Sequence, residues 1–520
     1  MADRVVVIGA GIGGLAAALR LAVAGHEVIV IDKESEVGGK ARQLSVDGTA
    51  IDAGPTVFTM RDVFDALFAS AGREMDACLE IRRADVLARH AWDGRGQLDL
   101  FADPCRSEEA IGDFAGAAAA RGYRGLRAEA ARIHAILDQT MLRAGKVSWP
   151  LPLMWRIGLW RLGALRAIRP YESLWKVLGE HFADQRLRQL YARYATYCGS
   201  SPFDAPATLM LIAHVEAQGV WLIEGGMRAL AGALRRVAEE RGAQFRLGCC
   251  AARIETAHGR ASGVVLANGE RIGAEAVIVN ADPAALANGQ FGAAIAGAAR
   301  AMPPRRRSLS ALVWLAHART EGFPLVRHNV LFSPDYPREF AEIAAGRPPC
   351  DPSVYVCAQD RGDDGGGTAP GRRERLQVIV NAPANGDRHH YTPEETERCT
   401  RAMRASLRRC GLELEEAPPH ILMTPNDFAA FSPSTGGAIY GRASHGWAAS
   451  FLRQGARTRI PGLYCAGGAT HPGAGVPMAA LSGGLAAETL LRDRASMPRF
   501  RPVAMPGGTS MRSARTGATG

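Results

Sequence analysis

The run Val5–Ile8, followed at once by Gly9-Ala10-Gly11-Ile12-Gly13-Gly14, constrains the fold of this chain more than any other stretch. Four apolar residues without polar interruption suit a strand buried on both faces. The alanine- and leucine-rich run from Leu15 to Ala24 then reads as a helix stopped at Gly25. Val28–Ile31 reads as a second buried strand, ending at Asp32. In such a unit Gly9 makes the tight turn, Gly11 lets backbone approach a pyrophosphate, and Gly14 lets helix and strand pack closely. The helix N-terminus offers free N–H groups and a partial positive charge to phosphates. Asp32, eighteen residues beyond Gly14, stands where a carboxylate can hold ribose hydroxyls. The acid would repel the 2′-phosphate of NADP, and it leaves NAD and FAD both open.

At 520 residues the chain is too long for one core, so two or more domains are expected. The net charge of +10 points to an anionic partner. No cluster of Lys and Arg with interleaved aromatics is present, so nucleic acid is not the expected partner. The ten cysteines show no paired CxxC spacing, which argues against a zinc site, and no other metal is expected. Their scatter reads as reduced, mostly buried thiols in a cytosolic protein. No continuous apolar stretch of about twenty residues is present, so no membrane-spanning helix is expected.

Four further segments belong with the first. Gly38-Gly39, followed by Lys40 and Arg42, permits a second close backbone approach with cations to neutralise phosphate. Asp52–Thr56 (DAGPT) holds small and rigid residues suited to packing on a flat ring. Residues 223–254 read as a Gly-rich turn, an amphipathic helix and a strand near Phe245–Cys250, then a hairpin turning at Asn268-Gly269 and a strand over Ala276–Asn280. Residues 462–491 read as strand, glycine turn and helix.

These segments resemble the flavoproteins of the amine oxidase and phytoene desaturase group. The strings DAGPTVFTMRDVFDALFASAG (52–72), TPNDFAAFSPSTGGAIYGRASHGWAASF (424–451) and YCAGGATHPGAGVPMAALSG (464–483) resemble most the branch that desaturates hydroxylated carotenoids, the 1-hydroxycarotenoid 3,4-desaturases. The resemblance implies an α/β fold: a Rossmann-like, amine oxidase-like FAD-binding domain of the two-dinucleotide type, with an α+β substrate domain. It implies FAD as cofactor, with Gly38, Gly39, Lys40 and Arg42 at the pyrophosphate and Ala53, Gly54 and Pro55 beside the isoalloxazine. It puts backbone near Ala251 at the adenosine, and Gly467, Gly468, Val476, Pro477 and Met478 at the ribityl chain and ring. Asp32 departs from the glutamate usual in FAD binders, which shortens the reach by one methylene and keeps the charge.

The FAD-binding domain is therefore expected to be discontinuous, over 1–85, 221–285 and 460–495. The substrate domain takes 86–220 and 286–459, with sheet strands near Ser310–Ala316, Val354–Ala358 and Leu376–Ala382, and residues 361–375 form a loop. Residues 496–520 read as a disordered tail. The segment 147–178 holds Trp149, Trp155, Trp160 and Trp175, with Arg156, Arg161, Arg166 and Arg169 interrupting an apolar run. Tryptophan and arginine suit the headgroup level of a bilayer, so this segment is the expected membrane contact of a cytoplasmic, peripherally attached protein. A buried helix pair is the competing reading.

The implied chemistry is dehydrogenation of a carotenoid beside its conjugated chain, with oxygen or a quinone as final electron acceptor. His471 and His445 are the two candidates for a catalytic group or a contact to the polar end of the substrate. Phytoene desaturases, flavin-dependent carotenoid isomerases, amine oxidases and protoporphyrinogen oxidases share the cofactor motifs. Rab escort and GDP-dissociation inhibitor proteins share the fold without catalysis. The oligomeric state is not legible in the sequence.

Overall fold

The structure is a computed structural model that describes residues 3–94, 96–145, 155, 167–363 and 371–496. The tail beyond 496, residues 364–370 of the expected loop and most of 147–166 lie outside the described residues.

The first strand, Arg4–Ile8, has Val5 and Val7 in one hydrophobic core and Val6 and Ile8 in another. That alternation is the physical meaning of its unbroken apolar run: both faces are covered. It lies at the centre of a five-stranded parallel sheet, between Glu27–Ile31 on one side and Ala276–Val279 on the other. Gln244–Arg246 and Leu463–Cys465 form the edges. The chain winds away from Arg4–Ile8 in both directions, so the carboxyl ends of Arg4–Ile8 and Ala276–Val279 form the switch point where ligands bind in such sheets.

One face of the sheet is covered by the helices Ile12–Val23, Arg61–Ser70, Gly226–Glu240 and Val476–Ala495. The other packs on a three-stranded antiparallel sheet, Ala251–Ala257, Arg260–Leu266 and Arg271–Gly273. Fully buried Leu15, Leu19 and Leu21 anchor the first helix, each stabilising by about 1.5–3 kcal/mol. That helix begins at Ile12 rather than the expected Leu15, because the N–H of Leu15 already reaches the Gly11 carbonyl, 2.9 Å away. The strand expected to reach Cys250 ends at Arg246. Beyond it the backbone turns to run beside the acid: Gly248 donates to the Glu34 carbonyl and Cys249 to that of Asp32.

A second, seven-stranded sheet runs in the order His420–Met423, Ser310–Ala318, Glu374–Ala382, Val354–Ala358, His328–Leu331, Val86–Trp92 and Gly96–Phe101. Only the pairing of His328–Leu331 with Val86–Trp92 is parallel. Strand Glu374–Ala382 starts inside the stretch expected as loop, because Glu374 pairs opposite Ala318. One face packs on the helix Pro393–Arg409 through Cys399, Met403 and Leu407. The other meets the helices Ala117–Leu137, Leu174–His181 and Gln185–Ala192 and, nearer the parallel sheet, Ile51 and Ala53.

One expectation is corrected. The cysteines are free thiols, but only Cys357, Cys399 and Cys465 are buried; Cys105, Cys250 and Cys350 are exposed at element ends and in a loop. In the segment 147–178, Arg169 and Trp175 have partners within the protein. Arg169 is held by Glu129, Glu172 and Glu180. Trp175 packs on Phe203 and Tyr336, with the Arg188 guanidinium over its ring. Among the described residues no helix is long and apolar enough to cross a membrane.

Candidate cofactor and substrate site

Three glycine-rich pieces, far apart in sequence, meet at the switch point. Gly11 pairs with Gly38 as an isolated parallel bridge, and Gly38 N–H donates to the Ala10 carbonyl at 2.9 Å. A Cβ on Gly39 would come within 3.2 Å of Gly11 Cα, and one on Gly13 within 2.8 Å of Gly467 Cα. Gly9, with φ of 101°, takes a conformation that side chains oppose, and a Cβ on Gly14 would strike its carbonyl. Backbone, together with the Asn280 side chain, thus forms the walls of the cradle, leaving main-chain N–H groups for an anion at the start of the helix Ile12–Val23.

Asp32 is buried at the end of its strand. Its carboxylate accepts from Ala10 N–H at 2.6 Å and from Glu34 N–H at 2.9 Å. Burial raises its pKa, while these two N–H groups pull it back. Each oxygen keeps a lone pair for a further donor. The chain running to Ala251 passes alongside through Cys249.

Lys40 is open to solvent, yet the surrounding protein desolvates its ammonium and lowers its pKa, with Asp282 opposing. Its Nζ donates to the Ile439 carbonyl. Arg42 lies over the Phe431 ring at 4.2 Å and is partly desolvated there. Arg453, also desolvated, donates to the carbonyls of Tyr440, Arg442 and Gly468, which fastens the loop around 440 to the C-terminal glycine turn. Gly467 N–H meets Ser482 Oγ at 3.2 Å, and Val476 opens the helix Val476–Ala495, followed by Pro477 and Met478.

The loop around Ala53, Gly54 and Pro55 joins the cradle to the seven-stranded sheet. Gln359 exchanges two hydrogen bonds with the Asp52 backbone, at 2.9 and 3.0 Å. Gln377 donates to the Gly54 carbonyl at 3.0 Å, and Tyr355 Oη lies 2.7 Å from Thr56 Oγ1. The loop therefore rests on Val354–Ala358, Glu374–Ala382 and the residue just after the former strand. A Cβ on Gly54 would strike the Lys40 carbonyl, so this loop and the second glycine motif pack backbone on backbone.

The two histidines occupy different settings. His471 is buried, its Nε2 3.0 Å from the Ala144 carbonyl and its N–H on the Gln454 carbonyl. His445 accepts from Ser201 N–H at 3.1 Å, and burial lowers its pKa.

Sequence reasoning missed Asn280, Gly13 and Gly483. Asn280 follows the strand Ala276–Val279, and its Nδ2 donates to the Gly9 carbonyl at 3.1 Å. Its signal was a polar residue directly after a buried strand, in the same position that Gly9 holds after its own. Gly483 lets the last helix rest against the Gly13 carbonyl. The convergence of close-packed glycines with a buried acid and an exposed lysine fits a dinucleotide such as FAD.

Comparison with known proteins agrees. The model of flavin-containing amine oxidoreductases matches residues 12–491. The chain is 51% identical to a hydroxyneurosporene desaturase of Rubrivivax gelatinosus, over 99% of this chain and 98% of that protein. It is 44% identical to the Cereibacter sphaeroides protein of the same name, over 95% of this chain and 99% of that one. The fold is shared with a putrescine oxidase, TM-score 0.58 at 15% identity, covering 95% of this chain and 99% of that chain. The chain belongs to the flavin-containing amine oxidoreductase family and groups within it with the hydroxyneurosporene desaturases.

Proposed function

We propose that this protein is an FAD-dependent carotenoid desaturase that introduces a 3,4 double bond into a 1-hydroxycarotenoid. The observation that carries the reading is the near full-length similarity to hydroxyneurosporene desaturases, in a chain whose cofactor cradle is intact and whose loop 52–56 rests on a second sheet. When bound, FAD supplies the two-electron acceptor for removing hydrogen from adjacent carbons. Gly9, Gly11, Gly14, Gly38 and Gly39 give the pyrophosphate its close backbone approach, and Lys40 and Arg42 supply countercharge. Asp32 holds ribose hydroxyls and the backbone near Ala251 borders the adenosine. Ala53, Gly54, Pro55, Gly467, Gly468, Val476, Pro477 and Met478 border the ring and its ribityl chain. The start of the helix Val476–Ala495 favours negative charge there.

The FAD-binding part spans 1–85, 221–285 and 460–495 in this reading, and the remainder holds the substrate. Oxygen or a quinone of the membrane takes the electrons onward. A carotenoid resides in the bilayer, so the protein works as a peripheral membrane enzyme of the cytoplasmic side. Its contact includes exposed Trp155 and Tyr171 within 147–178. The Tyr171 ring lies 5.7 Å from that of Trp447, and Leu452 is exposed nearby in sequence. An aromatic group half in water suits the headgroup layer.

The test is turnover in vesicles carrying hydroxylated carotenoid with a quinone. A product lighter by two hydrogens, with absorption shifted to longer wavelength, is expected. A product of unchanged mass would assign the chain to isomerisation instead.

A further inference from the structure

The seven-stranded sheet carries polar side chains where a floor for a wholly apolar chain needs none. His90, Val330 and Tyr355 are in-register neighbours on three adjacent strands, so their side chains share one face. His328, two residues before Val330, lies on that face too. Tyr355 Oη is 2.7 Å from His328 Nδ1 and 2.7 Å from Thr56 Oγ1, directly after the loop assigned to the flavin ring. From the helical side Arg193 joins the group. Its Nη2 donates to Tyr197 Oη at 2.8 Å, and the phenols of Tyr194 and Tyr197 donate to the Glu216 carboxylate. Arg193 is close enough to His328 for its charge to depress the imidazole pKa, after burial and Arg327.

This cluster is incompletely satisfied. His328 is 2% exposed and Arg193 8%, yet His328 Nε2 and Arg193 Nε have no hydrogen-bond partner. Native proteins rarely leave such atoms orphaned unless a ligand or water completes them. His328 is neutral, its pKa lowered to about 3, and the Tyr355 phenol stays protonated because burial raises its pKa. If Tyr355 donates to His328 Nδ1, then Nε2 carries the proton and needs an acceptor. If Nδ1 donates to Tyr355, then Nε2 needs a donor. An alcohol can serve as either.

We propose that His328 Nε2, held in place by Tyr355 and with the Tyr197-bound Arg193 guanidinium on the helical side, binds the hydroxyl group of the carotenoid substrate. The proposal rests on the desaturase reading above and adds the residues that select the substrate. In a 1-hydroxycarotenoid only the C2 methylene separates the hydroxyl-bearing carbon from the 3,4 bond. A hydroxyl site must therefore lie beside the reacting carbons, and Thr56 places this cluster next to the ring-side loop. A substrate without the hydroxyl leaves His328 Nε2 buried and unpaired, which is the basis of strong discrimination.

The test compares kcat/KM for a 1-hydroxylated carotenoid with that for the same polyene lacking the hydroxyl, in detergent, using FAD-loaded protein. The variants are His328→Leu, His328→Gln and Tyr355→Phe. In His328→Leu the hydroxylated-to-plain ratio should fall about tenfold or more, mainly through KM of the hydroxylated substrate. His328→Gln, which keeps a polar amide, should recover part of it. Tyr355→Phe, which leaves the His328 ring without its anchor, should give an intermediate ratio when rates are taken per bound FAD, and it carries the test if His328→Leu does not fold. An unchanged ratio in Tyr355→Phe and His328→Gln, with wild type active, overturns this proposal alone and marks the site as water-filled. Wild type that dehydrogenates neither carotenoid overturns the desaturase reading along with it.

Discussion

The side-chain amide of Asn280 donates to the carbonyl of Gly9 across 3.1 Å, tying together the turns that leave the two central strands of the parallel sheet. Its other amide atom sits where side chains on Gly13 or Gly467 would have to go. Asn280 therefore fixes the separation of the first and last glycine turns. Asn280→Ala should leave the Gly9 carbonyl unpaired, costing about 1–3 kcal/mol, with FAD retention falling in parallel. Flavin-to-protein ratio after gel filtration and the thermal midpoint check this. Full flavin occupancy would show that the cradle holds its shape without the amide.

Gly483 makes a separate, purely steric prediction. Its Cβ would strike the Gly13 carbonyl and lie 3.0 Å from Ala16 Cβ, so Gly483→Ala must push the last helix off the first. Overpacking of this kind costs about 1–3 kcal/mol. Because both helices begin at the cradle, FAD affinity should fall as well, measured by flavin fluorescence titration. A neutral effect on both readouts would mean that the helices separate freely.

Glu339 gives a pH signature away from the site. It is 1% exposed, and its Oε2 accepts from Ser353 N–H and Oγ while Oε1 has no partner. Burial raises its pKa from 4.5 to about 7. The folded state therefore holds a proton that the unfolded state releases above 4.5. The associated stability is present below that pH and is lost as pH rises through 7, by about 3 kcal/mol at most. Glu339→Gln, with no proton to lose, should melt higher than wild type at pH 8 and show little gain at pH 4.5. Melting curves across this range check the sign. An equal difference at both ends would separate the effect from titration.

Membrane contact predicts a split between two assays. Tyr171→Glu combined with Trp447→Glu should reduce flotation with anionic liposomes and turnover of liposome-held carotenoid, at normal FAD content. Turnover in detergent should fall less, since docking is bypassed there. Equal flotation of variant and wild type would place the contact on another face.

The cofactor half was legible because its determinants are local. A strand, a glycine turn and a helix follow one another within residues 4–23, and backbone sterics fix what each glycine does. Asn280 escaped notice because its partner lies 271 residues away and only the pairing of Ala276–Val279 with Arg4–Ile8 brings them together. Gln359 and Gln377, which fasten loop 52–56, were hidden for the same reason. In the segment 147–178 the partners of Arg169 and Trp175 were hidden as well, since the carboxylates and the aromatic cluster that engage them lie on other elements. The cluster around His328 gave no signal because its members come from separate strands and helices with no common spacing.

Whether a bound flavin oxidises a hydroxylated carotenoid is read in one anaerobic single turnover. FAD-loaded protein is mixed with 1-hydroxycarotenoid without any external acceptor while flavin and polyene absorption are followed together. Bleaching of oxidised flavin is expected, with formation of one desaturated carotenoid per flavin reduced. Polyene conversion with the flavin still oxidised, or an unreacted polyene beside a fully loaded flavin, would contradict the desaturase reading.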